Sequence, residues 1–459
     1  MNPWRVFAVV AVNIFMATID GSAVNLVLPA IAQQFDAPLT RVEWVSTIYL
    51  LIISVSLLPI GAIAPRLGER RVYIAGIVIF TISSVLCALS NSLSMLVAAR
   101  ALQGVGSAFS SALGAGFIAS AFPLKNRGMA LGMIGTVVAA GSLTGPIFGG
   151  FIAGHYGSWS AIFWINLPIG IIAILLSSLW LKVEPSNEGK EKTFDHYGAA
   201  LSGFALLVML FALSETGHKN LFIFVGSVAV ACILFYIFLR HEKHTLHPML
   251  PLEVFQNRTF TAATVGGLLT TAASVQAMLT LPFYLHEVKH FDLKTTGLFM
   301  TVWPLSLAIV APLAGRAADR IGSRIPSLVG PIVQSIGLLV LAFLQEDSSS
   351  LYLITGIAIT GMGGSIFVPA NNKALLGSVP KSLMFLASSM MALIRNIGMV
   401  AGIALSAAMV QFARNFAADP QSSAGFLFGM HWSMYLALLL SFSAGIFSYN
   451  YANREPEHH

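Results

Sequence analysis

Residues 61–71 read GAIAPRLGERR, and residues 315–324 read GRAADRIGSR. Aligned on Gly61 and Gly315, both continue with a small spacer, an arginine (Arg66, Arg320) and then a glycine (Gly68, Gly322) at matching offsets. Arg70 and Arg71 extend the first copy, and Arg324 closes the second. Each copy follows the second apolar stretch in a run of six. Parallel copies of this kind point to a chain built from two related helical halves, an arrangement found in secondary transporters.

Composition sets the medium. The chain has 459 residues, of which 56% are hydrophobic and 10% charged, with a mean hydropathy of +0.80. Soluble proteins carry about 25% charged residues, so this is a polytopic membrane protein. Its 40 glycines and 20 prolines suit packed, kinked spans. The net charge of +6 does not indicate nucleic acid, because the basic residues sit in short loops and not on one face of a domain. Cys87 and Cys232 fall in apolar stretches and read as packing residues, and no Cys/His spacing calls for a metal. The first apolar run continues to Leu28, about 23 residues, which suits a span better than a signal peptide.

Fourteen stretches are long enough to cross. They lie near 6–29, 44–64, 72–90, 94–120, 129–153, 160–181, 197–213, 221–239, 259–285, 296–315, 325–344, 351–372, 383–411 and 429–451. With the amino terminus inside, eighteen of the 25 lysines and arginines fall in inner loops and five in outer ones. Arg100 and Arg395 remain, within spans. The expected fold is therefore an all-α membrane protein of 14 transmembrane helices with both termini cytoplasmic. Residues 1–181 form one six-helix bundle. Residues 182–258 hold polar loops and two extra helices. Residues 259–459 form the second bundle and a short tail.

One more charge lies deep in a span. Asp20 sits in MATIDGSAVNLVLP, residues 16–29. A carboxylate in hydrocarbon costs several kcal/mol unless neutral or paired, and is a functional site by default. Arg100 is the obvious partner. Asp20 lies roughly 14 Å below the outer end of its span and Arg100 roughly 9 Å below the start of its own, at 1.5 Å per residue. Helix tilt and the reach of an arginine close that gap. Gly141, Gly145 and Gly149 recur at every fourth residue and form a small face, with Pro146 as a kink point and Gly150 beside it. That face serves either a tight yet bendable contact between the halves or ordinary tight helix packing, and the two uses overlap. Asn25, Gln103, Asn166 and Gln276 either line a cavity or bond helices together, and residue type does not choose. Arg395, beside Asn396, either serves transport, including contact with an anionic cargo, or bonds to backbone.

Five motifs in order carry a family likeness: IDGSAVNLVLP (19–29), RALQGVGSA (100–108), GSLTGPIFGG (141–150), WINLPIG (164–170) and IRNIG (394–398). With the repeated loops they resemble the major facilitator superfamily, in particular its fourteen-span drug:proton antiporters, over nearly the whole chain. One position departs. The family's first loop carries an acid before the arginine, part of the inner-gate latch; here it is Pro65, while the second copy keeps Asp319. Glu69 is the other acid near the first copy.

The resemblance implies a secondary active transporter in a bacterial cell membrane, working as a monomer. It would export amphipathic, cationic compounds in exchange for protons, with no cofactor beyond the proton gradient. Asp20 would carry the proton, and Arg100 would set when it is released. The alternative is export of a lipid or an anionic, siderophore-like metabolite on the same scaffold. An intramembrane enzyme is disfavoured: there is no HExxH, nucleophile elbow, P-loop or second deep carboxylate.

Overall fold

In lipid every backbone polar group must be satisfied within the chain, and a helix does this locally. The computed structural model describes residues 2–156, 159–181, 194–214, 221–245, 248–414 and 423–451, and its regular elements are all helical. Twelve helices among the described residues are long and apolar enough to cross a membrane.

Six precede residue 182: α1 (Pro3–Gln34), α2 (Trp44–Leu67), α3 (Glu69–Ala88), α4 (Leu93–Ala121), α5 (Leu124–Tyr156) and α6 (Ala161–Trp180, broken at Ile165). Then α7 (His196–Ser214) and α8 (Leu221–His244) form over the seventh and eighth apolar stretches. The apolar part of α7, His196–Met209, is shorter than a full span. The last six are α9 (Arg258–Phe283, prolonged by a wide turn Tyr284–Val288), α10 (Val302–Ile321, preceded by Leu293–Met300) and α11 (Arg324–Ala342). They continue with α12 (Ser350–Gly377), α13 (Met384–Arg414) and α14 (Ser423–Tyr451). Helix starts carry caps readable from sequence: the Ser92, Asn257 and Ser349 side chains accept first-turn N–H groups of α4, α9 and α12.

The repeated loops fold alike. Gly68 has φ +91° and Gly322 φ +80°, so each tight turn into the next helix requires a left-handed residue that only glycine adopts freely. α7 and α8 pack on each other, and α7 lies against both α2 and α13.

The six-helix groups meet unevenly. One apolar core joins them at the ends bearing the α2–α3 and α10–α11 turns, running from Val6, Leu57 and Phe117 to Phe385 and Met390. At the opposite ends each group keeps a separate core. One is centred on Val24, Val45 and Phe163, the other on Leu281, Leu341 and Met430. Hydrogen bonds mark the sealed part: Gly116 N–H to Ser388, Ser389 to the Ala112 carbonyl, Thr136 to the Ala308 carbonyl, and the Asn396 amide to Ser54 at 3.2 Å. All lie within about 20 Å of the turn-bearing ends at 1.5 Å per residue. Glycines let the backbones close: a Cβ on Gly61 would overlap Ser389, and one on Gly128 would lie 2.6 Å from the Gly315 carbonyl. The molecule is thus shut on the turn side and split on the other.

Candidate functional site

Asp20 on α1 is ringed by four helices. Arg100 Nη1 of α4 donates to Asp20 Oδ2 at 2.6 Å, and both side chains are 1% exposed. Gln103 Nε2, one turn along α4, donates to Asp20 Oδ1 at 3.0 Å, and Asn166 Nδ2 of α6 donates to the same oxygen at 2.7 Å. Ser84 on α3 receives N–H groups from both amides, at 2.8 and 3.2 Å, and donates to the Phe80 carbonyl. A further guanidinium donor and the face of the group hold α4 to α2. Arg100 Nε donates to the Val45 carbonyl at 3.0 Å, Nη1 also reaches Gln103 Oε1, and the group lies 4.1 Å above the Tyr49 ring. Tyr49 in turn donates to Ser107 at 2.9 Å. The spacing of Arg100 and Gln103, three residues apart, puts both on one face of α4. An ion pair this deep survives only because every charged oxygen is covered. One atom is left over: Asn166 Oδ1 is buried without a hydrogen-bond partner.

This geometry chooses among the readings the residue types left open. Gln103 and Asn166 are fully buried and bond helices together around Asp20. Gln276 is buried too, accepting weakly from Ser433 of α14. Asn396 bridges the seam to Ser54. Asn25 is exposed and accepts from Ser46 at 2.9 Å. Arg395 is exposed.

Of the two uses open to the glycine motif of α5, the contacts show tight packing within one group. A Cβ on Gly141 would lie 2.8 Å from Thr18, and Gly145 faces Ser22, whose hydroxyl reaches the Gly141 carbonyl at 3.3 Å. The motif therefore packs α5 on α1, within one group, beside Asp20. Contact with the other group falls to Gly128, Gly132 and Gly135 nearer the start of α5, against Gly315 and Ala311. The reason is helix rotation: the two glycine sets occupy different faces of one long helix, and the small face nearest α1 is taken by α1. Pro146, Gly149 and Gly150 continue α5, their side chains outside the described residues.

The repeated loops differ as their sequences do. Asp319 accepts the N–H groups of Gly128 and Met129 in the second turn of α5, both at 2.8 Å, and Lys373 lies 3.3 Å away. A carboxylate near a helix N-terminus meets the positive end of the dipole. Arg324 donates to the Tyr449 carbonyl and stacks 4.2 Å from its ring, while Arg320 is exposed. In the first copy Pro65 accepts nothing from α13. Glu69 is buried in the first turn of α3 and makes no ion pair among the described residues. Arg70 donates to the Ser178 carbonyl, and Arg71 is exposed. Arg66 lies 5.5 Å over the ring of Phe194 and within the field of Asp195, both just before α7. Asp195 caps α7 through Gly198 N–H at 2.8 Å and pairs with His241 at 2.9 Å. The extra helix pair thus brings a ring over Arg66 and an acid near it, without an ion pair between Asp195 and Arg66. Lys182, Lys190 and Lys192 of the polar loop lie outside the described residues.

Ser84, Tyr49 and the Val45 carbonyl were not legible as site members. Ser84 is one of several serines in an apolar run, and a carbonyl has no sequence signal.

The Major Facilitator Superfamily profile matches residues 10–403 and 264–459. The riboflavin transporter RibZ of Clostridioides difficile is 34% identical over 401 residues, covering 87% of this chain and 87% of the relative. The multidrug resistance protein Stp of Mycobacterium tuberculosis is 30% identical over 415 residues, covering 88% and 76%. In fold, the human organic anion transporter MFSD10 (TETRAN) superposes with a TM-score of 0.67 at 15% identity, over 97% of this chain and 100% of that one. Two parallel six-helix groups, matched glycine turns and a profile match along nearly the whole length agree: the chain belongs to the Major Facilitator Superfamily.

Proposed function

We propose that this chain is a secondary active exporter that exchanges amphipathic small molecules for protons by alternating access. In this reading it crosses the membrane fourteen times with both termini in the cytoplasm of a bacterium. The observation that carries it is the Asp20–Arg100 ion pair, 2.6 Å long and 1% exposed, in the middle of membrane-spanning helices. Structural needs alone do not favour a pair there, since apolar residues would cost less.

The bonding pattern gives the pair a mechanical role. A proton on Asp20 Oδ1, the oxygen that faces Asn166, removes the negative charge that Arg100 Nη1 pairs with through Oδ2. Arg100 then rests chiefly on Val45, Tyr49 and Gln103. The unpaired Asn166 Oδ1 supplies an acceptor for the new O–H once the amide turns over. Arg100 grips α2, and α2 carries Ser54 and Gly61 at the sealed seam. Proton binding and seam opening therefore act on one element. Transport follows if proton and cargo favour different arrangements of that element. The excess of lysine and arginine makes the sealed side cytoplasmic, so the cleft opens outward, where protons enter. Relatives named for multidrug resistance and for tetracenomycin C export support small-molecule export, and one named for riboflavin transport supports a small-molecule cargo.

The test is reconstitution with an imposed pH gradient. Native protein should drive dye against its gradient. Asp20→Asn should lose uphill movement while still exchanging dye for dye. Equal gradient-driven movement by both proteins removes the proton-carrier role. For topology, a cysteine placed in 182–193 should label from the cytoplasmic side alone.

A further inference from the structure

Asp20 is poorly placed to hold a cation. Its oxygens already accept from Arg100, Gln103 and Asn166, and its side chain is 1% exposed. A cationic cargo reaching it must displace a fixed guanidinium. The accessible deep charge has the opposite sign. Arg395 sits on α13 one residue before Asn396, whose bond to Ser54 tops the seal. It is exposed, and it makes no hydrogen bond or ion pair among the described residues. The group whose field it shares is Tyr49, on α2 of the other six-helix group. It therefore faces the cleft between the groups, at its floor, and not the lipid. An unpaired charge in mid-span persists where water reaches it and marks a pathway. Met391 and Met399, four residues either side and half-buried, share its face of α13. Methionines there give an adaptable apolar wall.

We infer that Arg395 anchors the cargo, and that the cleft takes an anionic amphipath: a carboxylate, sulfonate or phosphate on an aromatic body. The guanidinium pairs with the anion, and the body packs on Met391 and Met399. This rests on the reading of the chain as an alternating-access exporter and sets the charge of what it carries. Proton and cargo then use separate sites and compete through the conformations they favour, not through one shared carboxylate.

The test uses two dyes with the same tricyclic body and opposite charge, fluorescein and rhodamine 123, at alkaline pH where fluorescein is a dianion. Binding to the purified full-length protein is read by fluorescence anisotropy. Fluorescein should bind about 10-fold or more tightly than rhodamine 123, the size of one charge-assisted contact. Arg395→Gln should abolish that preference, and Arg395→Lys should keep part of it, since lysine retains the charge without the fork. Arg395 has no hydrogen-bond or ion-pair partner to orphan among the described residues, and monodispersity of each variant on size exclusion checks its fold. The inference is overturned if rhodamine 123 binds as tightly as fluorescein. It is equally overturned if fluorescein binding is undetectable, or if Arg395→Gln keeps the preference. Native-like fluorescein binding without pH-driven exchange supports the inference and strikes the antiport reading alone.

Discussion

Replacing Asp20 with asparagine measures how far the charge network acts as one unit. The substitution leaves Arg100 fully buried with no countercharge. The asparagine side chain also fails to fit the donors around it. Arg100 faces one oxygen of Asp20, and Gln103 and Asn166 face the other, so an amide must turn its N–H₂ toward a donor. Removing one partner of a buried pair costs about 3–5 kcal/mol. Unfolding entropy is about 2.1 cal/mol/K per residue, so 459 residues correspond to about 1 kcal/mol per degree. Asp20→Asn should therefore lower the unfolding midpoint in detergent by about 3–5 °C. Arg100→Gln should cost a similar amount by baring the carboxylate. The double variant Asp20→Asn/Arg100→Gln has no stranded charge and should recover most of the loss. The single losses add to about 6–10 kcal/mol, so a double variant that costs about 1–2 kcal/mol gives a coupling of about 4–9 kcal/mol, above the usual range for contacting residues because each single loss includes a stranded charge. The reasoning fails if the double variant is as unstable as the two single losses added together, within about 0.5 kcal/mol.

Three further outcomes follow from the seam and the extra helices. Asp319→Asn weakens two charge-assisted bonds to the second turn of α5, costing the sealed arrangement about 2–4 kcal/mol. Labelling of a cysteine at the buried Ala314 should speed up about 10-fold or more, and an unchanged rate removes the latch. Gly61→Val wedges a side chain into Ser389 and should expose a cysteine at Leu386, whereas Gly21→Ala, with nothing within 4 Å of its new methyl, should change neither labelling nor stability. Glu242, beyond the apolar stretch 221–239, is buried and accepts the Leu250 N–H at 2.9 Å. Burial pushes its carboxyl up to about 6. The folded state then holds a proton that the unfolded state has released, so stability falls as pH rises from about 4.5 to 6. Glu242→Gln should flatten that slope by up to about 2 kcal/mol across the window, read from midpoints at several pH values.

Some of this was legible before any coordinate. A span in lipid must satisfy its backbone within itself, so a run of apolar residues determines a helix almost alone. The ends of α4 and α12 fall within a few residues of the stretches 94–120 and 351–372. Asp20 and Arg100 announced themselves because charge in hydrocarbon is expensive. Gly68 and Gly322 matched because a left-handed turn leaves little choice of residue.

Which way each residue faces was not legible. Residues along a helix are rotated by about 100° each, and a helix apolar on all sides gives no stripe to orient it. Gln103 and Asn25 were thus indistinguishable in sequence, yet one is sealed around a carboxylate 83 residues away and the other is exposed. The same freedom turned Gly141 and Gly145 toward α1 and left the seam to Gly128 and Gly132. It also brought the Phe194 ring over Arg66, which lacks the usual acid beside it. Helix existence is a local property of the chain in oil; helix rotation, the sealed seam and the covering of Asp20 are decided by packing between residues far apart in sequence, where small side chains admit close approach and buried charges demand partners.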